Sequence, residues 1–380
     1  MDDAIFAESA ETWAVSSGLA DFVNSMLSTG QYRRDEIPAE AMWLYHADYY
    51  MAQVQNGGHS QFVHNSGMSK WISDDALNGL DLIGASLYAS CLRDLRAWIK
   101  THPQEAQSQD GFGTRADILD DIDARFYEAP SDAYYGSLRE WLRGSDIVDL
   151  LPKQELMQAM VQLTDSNPER AKRERFSRIA HLQHGLSDPH LGLYRAAAAT
   201  QQVDGKPFQI QALTAGFPVG HPTEKDGVIW GVQTTFGVLA GYANEDEVVL
   251  TQPTKENGFG VGAAIFSGDR AKAQACLDYA QTRPIAACAV ALLAKVNKAS
   301  QLNYIGPLTT QPSIEKNGDV GMGYVGETED GTPYTFVFKE QAALIAPFPL
   351  GKKVMASLTR KDMQNLTHEI EAHNAYVPWR

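Results

Sequence analysis

Three cysteines in 380 residues, Cys91, Cys276 and Cys288, are too scattered and odd in number for a disulfide framework or a thiolate metal site. Their scarcity fits a reducing compartment, and the cytoplasm is the expected location. Long apolar runs are missing as well. The nearest, Ile285–Val296, falls short of the roughly 18–20 residues that span a bilayer and reads as a buried core helix. The opening residues, MDDAIFAESAETWAV, place two acids after Met1 and no basic stretch before an apolar one, so no secretory signal is expected.

Catalytic and cofactor signatures are equally scarce. No Gly-x-Ser-x-Gly, His-Glu-x-x-His or Cys-x-x-Cys occurs. Gly258-Phe259-Gly260-Val261-Gly262 invites a dinucleotide reading, but that loop needs a strand before it and a helix after it. Here the run continues into an apolar strand. Gly351-Lys352-Lys353 lacks the upstream glycine of a phosphate-binding loop. His46, His59 and His64 form one loose histidine set and His181, His184 and His190 another, neither with a carboxylate third ligand in view. No cofactor and no metal are expected.

What the chain does have is acid, unevenly placed. Of a net charge of −15, residues 1–150 hold 24 acidic and 10 basic side chains, a balance of −14. Residues 151–190 hold 5 acids and 6 bases, and residues 191–380 hold 18 and 16. A field of that sign repels nucleic acid and anionic membranes and attracts basic partners; it also confers solubility on its own. Direct nucleic-acid or membrane binding is therefore not expected.

The apolar spacing predicts helices over 1–30, from Pro38 to the Gly57-Gly58 stop, and from Ser73 as N-cap through Leu77, Leu80, Leu87, Cys91, Leu95 and Trp98. A loop over 102–114 precedes helices at 115–127, 134–143 and 153–164, and a basic helix at 169–184. From residue 208 the texture turns to strands, at 208–213, 228–232, 238–242, 248–250, 261–266, 321–327, 334–339, 342–346 and 353–358. Helices capped by Ser267 and Thr359, and a hairpin at Glu329-Asp330-Gly331-Thr332, complete this half. The expectation is α+β overall: an all-helical module at 1–165, a basic helical connector at 166–200, and a mainly antiparallel α+β module at 201–380. Its strand-strand-strand-helix order recurs, which is either a duplication or coincidence.

One segment stands apart: Asn56, Gly57, Gly58, Gln61, Phe62, Asn65 and Gly67 surround a glycine break between apolar helices. Gln61 and Asn65 lie one turn apart and could satisfy backbone groups freed at the break, or could serve surface recognition. The pattern Asn-Gly-Gly-x-x-Gln-Phe-x-x-Asn-x-Gly resembles the signature of a bacterial domain family typified by a DNA-mimic protein. The likeness continues through Leu82-Ile83-Gly84-Ala85 and Leu119-Asp120-Asp121-Ile122-Asp123-Ala124-Arg125-Phe126-Tyr127, over about residues 38–150. His59 and Val63 stand where that family usually has aromatic residues.

The resemblance implies an all-helical fold and an acidic surface that imitates the phosphates of duplex DNA. The acidic positions are not part of the motif, so they are chosen on charge: Asp74, Asp75, Asp117, Asp120, Asp121, Asp123, Glu128 and Asp132. The leading expectation is a non-enzymatic binding protein whose acidic module engages a basic partner, in the mimic version a DNA-binding protein. An enzyme with its site in the C-terminal module or the cleft between modules, and an immunity-type or scaffolding protein, are the alternatives.

Overall fold

Helices make up nearly all the regular structure as far as residue 197, and strands dominate beyond it. A computed structural model describes residues 1–7, 10–111, 113–130, 132–199, 201–203, 206–214, 217–218, 228–254, 260–298, 300–308, 313–314, 320–348 and 354–374. They divide into two units, Met1–Arg173 and Glu174–Arg380. The architecture is α+β, with the helical part N-terminal. Among the described residues no helix is long and apolar enough to cross a membrane.

The first unit contains α1 (Ala14–Ser28), α2 (Ala39–Ser66), α3 (Lys70–Leu82), α4 (Ser86–Thr101), α5 (Pro103–Gln107), α6 (Asp117–Phe126), α7 (Asp132–Gly144) and α8 (Lys153–Asp165). Each long helix buries one stripe, such as Val15, Leu19, Val23 and Met26 of α1, or Leu119, Ile122 and Phe126 of α6. Four expectations are corrected here. The single helix over 1–30 is a 3-10 turn, Asp3–Phe6, followed by α1; the Asp2 carboxylate accepts from the Ala4 N–H at 3.1 Å and the chain leaves extended at Ala7. The long helix from Ser73 is two helices, because Gly84 adopts φ 70° and the Ala85 N–H turns back to the Leu80 carbonyl at 2.8 Å. Ser73 is no cap: α3 begins at Lys70, and the Ser73 hydroxyl donates to the Lys70 carbonyl. The expected loop over 102–114 contains α5, started by proline in its first turn, where a missing N–H does no harm.

The boundary between the units falls inside α9 (Arg170–Ser187). From Glu174 onward this helix belongs to the second unit and buries Phe176, Ile179, Leu182 and Leu186 in its core. Next come α10 (Leu191–Ala197), the two-stranded pair β1 (Gln202–Val203) and β2 (Lys206–Pro207), then β3 (Ile210–Leu213), β4 (Phe217–Pro218), β5 (Val228–Thr234), β6 (Gly237–Ala243), β7 (Glu247–Thr254) and β8 (Gly260–Asp269). Two helices, α11 (Arg270–Gln281) and α12 (Ile285–Val296), lead to β9 (Leu302–Pro307), β10 (Ser313–Ile314), β11 (Val320–Thr328), β12 (Pro333–Phe338), β13 (Ala342–Pro347), β14 (Ala356–Thr359) and α13 (Arg360–Asn374).

The larger sheets are antiparallel and share one connection scheme. In one, β3 and β4 both pair with β5 and the order continues β6-β7-β8; in the other, β9 and β10 both pair with β11 and the order continues β12-β13-β14. Each last strand runs directly into a helix. The first of these helices is capped by Asp269, whose carboxylate accepts from the Lys272 N–H at 3.0 Å, and not by Ser267, which is still in the strand. Thr359 caps the other reciprocally with Asp362. The Glu329–Thr332 turn closes the β11-β12 hairpin with Gly331 at φ 79°. The residues Gly258, Phe259 and Gly351-Lys352-Lys353 lie outside the described residues; from Gly260 onward the chain is β8.

Candidate binding surface and the network beneath it

Two glycines interrupt α2. Gly57 takes φ −153°, ψ 22° and Gly58 takes φ 72°, ψ −175°, so the helical hydrogen bonds stop and restart across them. The expectation that Gln61 and Asn65 satisfy the freed backbone is corrected by the geometry. The His59 N–H donates to Asp123 Oδ1 at 3.0 Å, and an Arg115 nitrogen reaches the Gly57 carbonyl at 3.5 Å. Gln61 and Asn65 instead converge on Gln53: their amides donate to its Oε1 at 3.0 and 2.6 Å, while Asn56 donates to Gln61 Oε1 at 3.1 Å. Phe62 is buried edge-on to Tyr50, and Gly67 ends α2 in the left-handed conformation, its N–H on the His64 carbonyl.

Beneath the kink lies a polar chain of buried Tyr50, His59 and Asp123 that ends on Arg115 at the surface. The Tyr50 hydroxyl and His59 Nε2 are 2.8 Å apart, His59 Nδ1 contacts Asp123 Oδ1, and Asp123 Oδ2 pairs with Arg115. Burial, reinforced by Arg115 and Arg125, pulls the His59 imidazole down to about 3, while burial pushes the Tyr50 phenol well above its ordinary value. The phenol therefore keeps its proton and donates it to Nε2, and a neutral His59 donates from Nδ1 to Asp123. Both rings are fully buried and the free nitrogen is already occupied by Tyr50. The trio consequently holds α2 to α6 and offers no proton to a substrate. The three histidines of the first set have separate partners: His46 meets Asp75 at 2.9 Å, His59 meets Asp123 and Tyr50, and His64 meets the Gln109 carbonyl at 3.1 Å.

The eight acids chosen on charge separate into three groups. Asp75 and Asp123 are buried, 2% and 7% exposed, so neither presents a carboxylate to the surface. Burial alone would raise the Asp75 carboxyl, but hydrogen bonds from His46 and Arg34 outweigh it and hold the group below its ordinary value. Asp74 and Asp120 reach the surface but are neutralised, the first by Arg96 and the second by Arg115 at 2.5 Å. Asp81 and Asp94 are matched in the same way by Arg93 and Arg125. Asp117, Asp121, Glu128 and Asp132 are exposed and form no ion pair among the described residues; Asp132 accepts one hydrogen bond, from Thr12. Asp117 and Asp121 stand one turn apart on the outer side of α6, roughly 6 Å along its axis.

Sequence reasoning passed over Asp48, a half-buried carboxylate of α2. Burial pushes its carboxyl up to about 6, opposed by a Ser16 hydroxyl. A folded-state value above the unfolded one favours the protonated form, so the fold carries a penalty that is absent at acid pH and complete above about pH 6. Asp48→Asn should therefore raise stability at pH 7.5 by roughly 1–2 kcal/mol, discounted for partial exposure. Urea titrations of both proteins should show the gain fading as pH falls toward 4; a gain independent of pH would exclude this origin.

Residues 35–145 match the family model described as DMP19-like protein. The matched span starts just before α2 and ends with α7, and it holds the kink, the buried network and all eight acids. No curated protein and no solved structure matches the chain.

Proposed function

We propose that the first unit is a non-enzymatic binding module whose α6 edge engages a basic partner, as a DNA mimic that occupies a DNA-binding protein. The observation that carries this reading is the selective neutralisation of charge. Arginines cancel the acids of α3 and α4 and the first-turn Asp120 of α6, while Asp117 and Asp121 on α6, Glu128 just after it and Asp132 at the start of α7 are exposed and form no ion pair among the described residues. Uncancelled carboxylates at helical spacing can meet a lysine- or arginine-rich surface built for phosphates. The family likeness of residues 35–145 supports the same reading, and the Tyr50–His59–Asp123–Arg115 chain ties α6 to α2.

The test uses the full chain as bait in a bacterial lysate. One basic DNA-binding protein should be captured, displaced by duplex DNA and released as salt rises. The triple variant Asp117→Asn/Asp121→Asn/Glu128→Gln should weaken that capture by about tenfold or more, each charge pair at a docked interface being worth about 1 kcal/mol or above. Undiminished capture by the triple variant would sink the α6 assignment.

A further inference from the structure

The second unit contains a groove of about 500 Å³ lined by α9, by the turn between α11 and α12, and by α13. That volume lies within the range of roughly 300–1,000 Å³ common to small-molecule sites. Its apolar lining is Ile179, Ala180, Pro284 and Ile370. Gln183 of α9 fixes the turn. Its Nε2 donates to the Ala280 and Arg283 carbonyls at 2.9 and 3.1 Å, and its Oε1 accepts from the Ala286 N–H at 3.0 Å. Gln281, at the end of α11, adds a bond from its amide to the Ser187 carbonyl of α9 at 3.0 Å.

The polar lining groups sort by element. The turn supplies donors. Arg283 lies with its guanidinium 3.8 Å from the Tyr279 ring centroid, gives one N–H to Thr282 Oγ1 at 3.1 Å, and pairs with no carboxylate among the described residues. The positive end of α12 begins beside it, at Ile285. Helix α13 supplies acceptors. Glu371 is exposed and forms no ion pair among the described residues. Thr367, one turn before it, donates its hydroxyl to the Met363 carbonyl at 3.1 Å and so keeps lone pairs for an incoming donor. His184, the other titratable group of the lining, stands 3.8 Å from the Asp188 carboxylate. An unmatched cation and an unmatched anion therefore share one groove with an apolar lining. A simple anion would satisfy Arg283 but meet like charge at Glu371, and a simple cation would do the reverse. We infer that the groove binds an apolar α-amino acid, its carboxylate on Arg283, its ammonium on Glu371 and Thr367, and its side chain on Ile179 and Ile370. The site belongs to the second unit and stands independently of the basic partner proposed for the first.

The experiment is isothermal titration calorimetry of the full chain with L-leucine, L-methionine and L-phenylalanine. At least one should bind. For that one, the matching carboxylic acid without the amino group and the matching amine without the carboxylate should each bind about fivefold or more weakly, since each forfeits one charge contact. Glu371→Gln alters an exposed side chain, so folding is not at stake. It should weaken the amino acid about fivefold or more and leave the amino-free acid bound no more weakly than before. Arg283→Gln should weaken both of these ligands and spare the amine. Binding of none of the three amino acids, equal binding of the amino-free acid or of the amine, or an amino-acid affinity untouched by Glu371→Gln would each overturn the inference. None of these results bears on the α6 assignment, which lies in the other unit.

Discussion

Asp123→Ala is expected to lower the unfolding free energy of the first unit by about 3–5 kcal/mol, because it leaves buried donors unpaired at about 1–3 kcal/mol each. The carboxylate has three simultaneous tasks. One oxygen accepts from the His59 backbone N–H and faces the His59 ring, and the other pairs with Arg115. Without it the N–H at the restart of α2 is buried with no acceptor, the imidazole donor is orphaned, and a guanidinium loses its inward counter-charge. Asp120→Ala supplies the contrast. It touches the same Arg115 from a largely exposed position, so its loss should cost about 0–1 kcal/mol. Guanidinium titrations followed by tryptophan fluorescence report on this unit, which holds Trp13, Trp43, Trp71, Trp98 and Trp141. Equal losses for the two variants would show that the carboxylate does not organise the kink.

That contrast also marks how far the sequence could be read. Periodicity and glycine placement were enough for the α2 break, most helices and the strand-rich second half, because those signals are local. The partner of the kink is not local: Asp123 is 64 positions from His59. Counting charge treated the acids as equivalent, whereas helical phase distinguishes them. Asp123 follows Leu119 by four positions and precedes Phe126 by three, which puts it on the buried stripe of α6, while Asp117 and Asp121 fall off that stripe. The phase was present in the sequence and could have been used. The arginine that cancels Asp74 could not have been assigned, since Arg96 is 22 positions away and such a pairing needs the tertiary fold, whereas Arg115 is only five positions from Asp120 and lay within reach of local reasoning. In the second unit, α10 escaped notice because seven residues carry too little periodicity, and β9 because its Asn, Gly and Pro mask an otherwise strand-like run.

Gly58→Ala tests the same junction from the backbone side and should cost about 3–5 kcal/mol, for two reasons that can be separated. The conformation at φ 72°, ψ −175° is open essentially to glycine alone, and forcing alanine into it costs about 1–3 kcal/mol. A Cβ there would also stand 2.8 Å from both terminal nitrogens of Arg115 and closer still to the Asp123 carboxylate, so the pair must move apart. Gly57→Ala separates the two. Its φ of −153° suits any residue and its Cβ would meet mainly the Gln61 side chain, a flexible amide that can give way, so it should cost no more than about 1 kcal/mol. The double variant Gly58→Ala/Asp123→Ala then decides how the junction works. With the carboxylate gone, the alanine methyl has less to displace, and the combined loss should fall short of the sum by about 0.5–3 kcal/mol. Strict additivity would mean that the glycine and the carboxylate act separately, and that the bend in α2 is held by its own backbone and not by the charge beneath it.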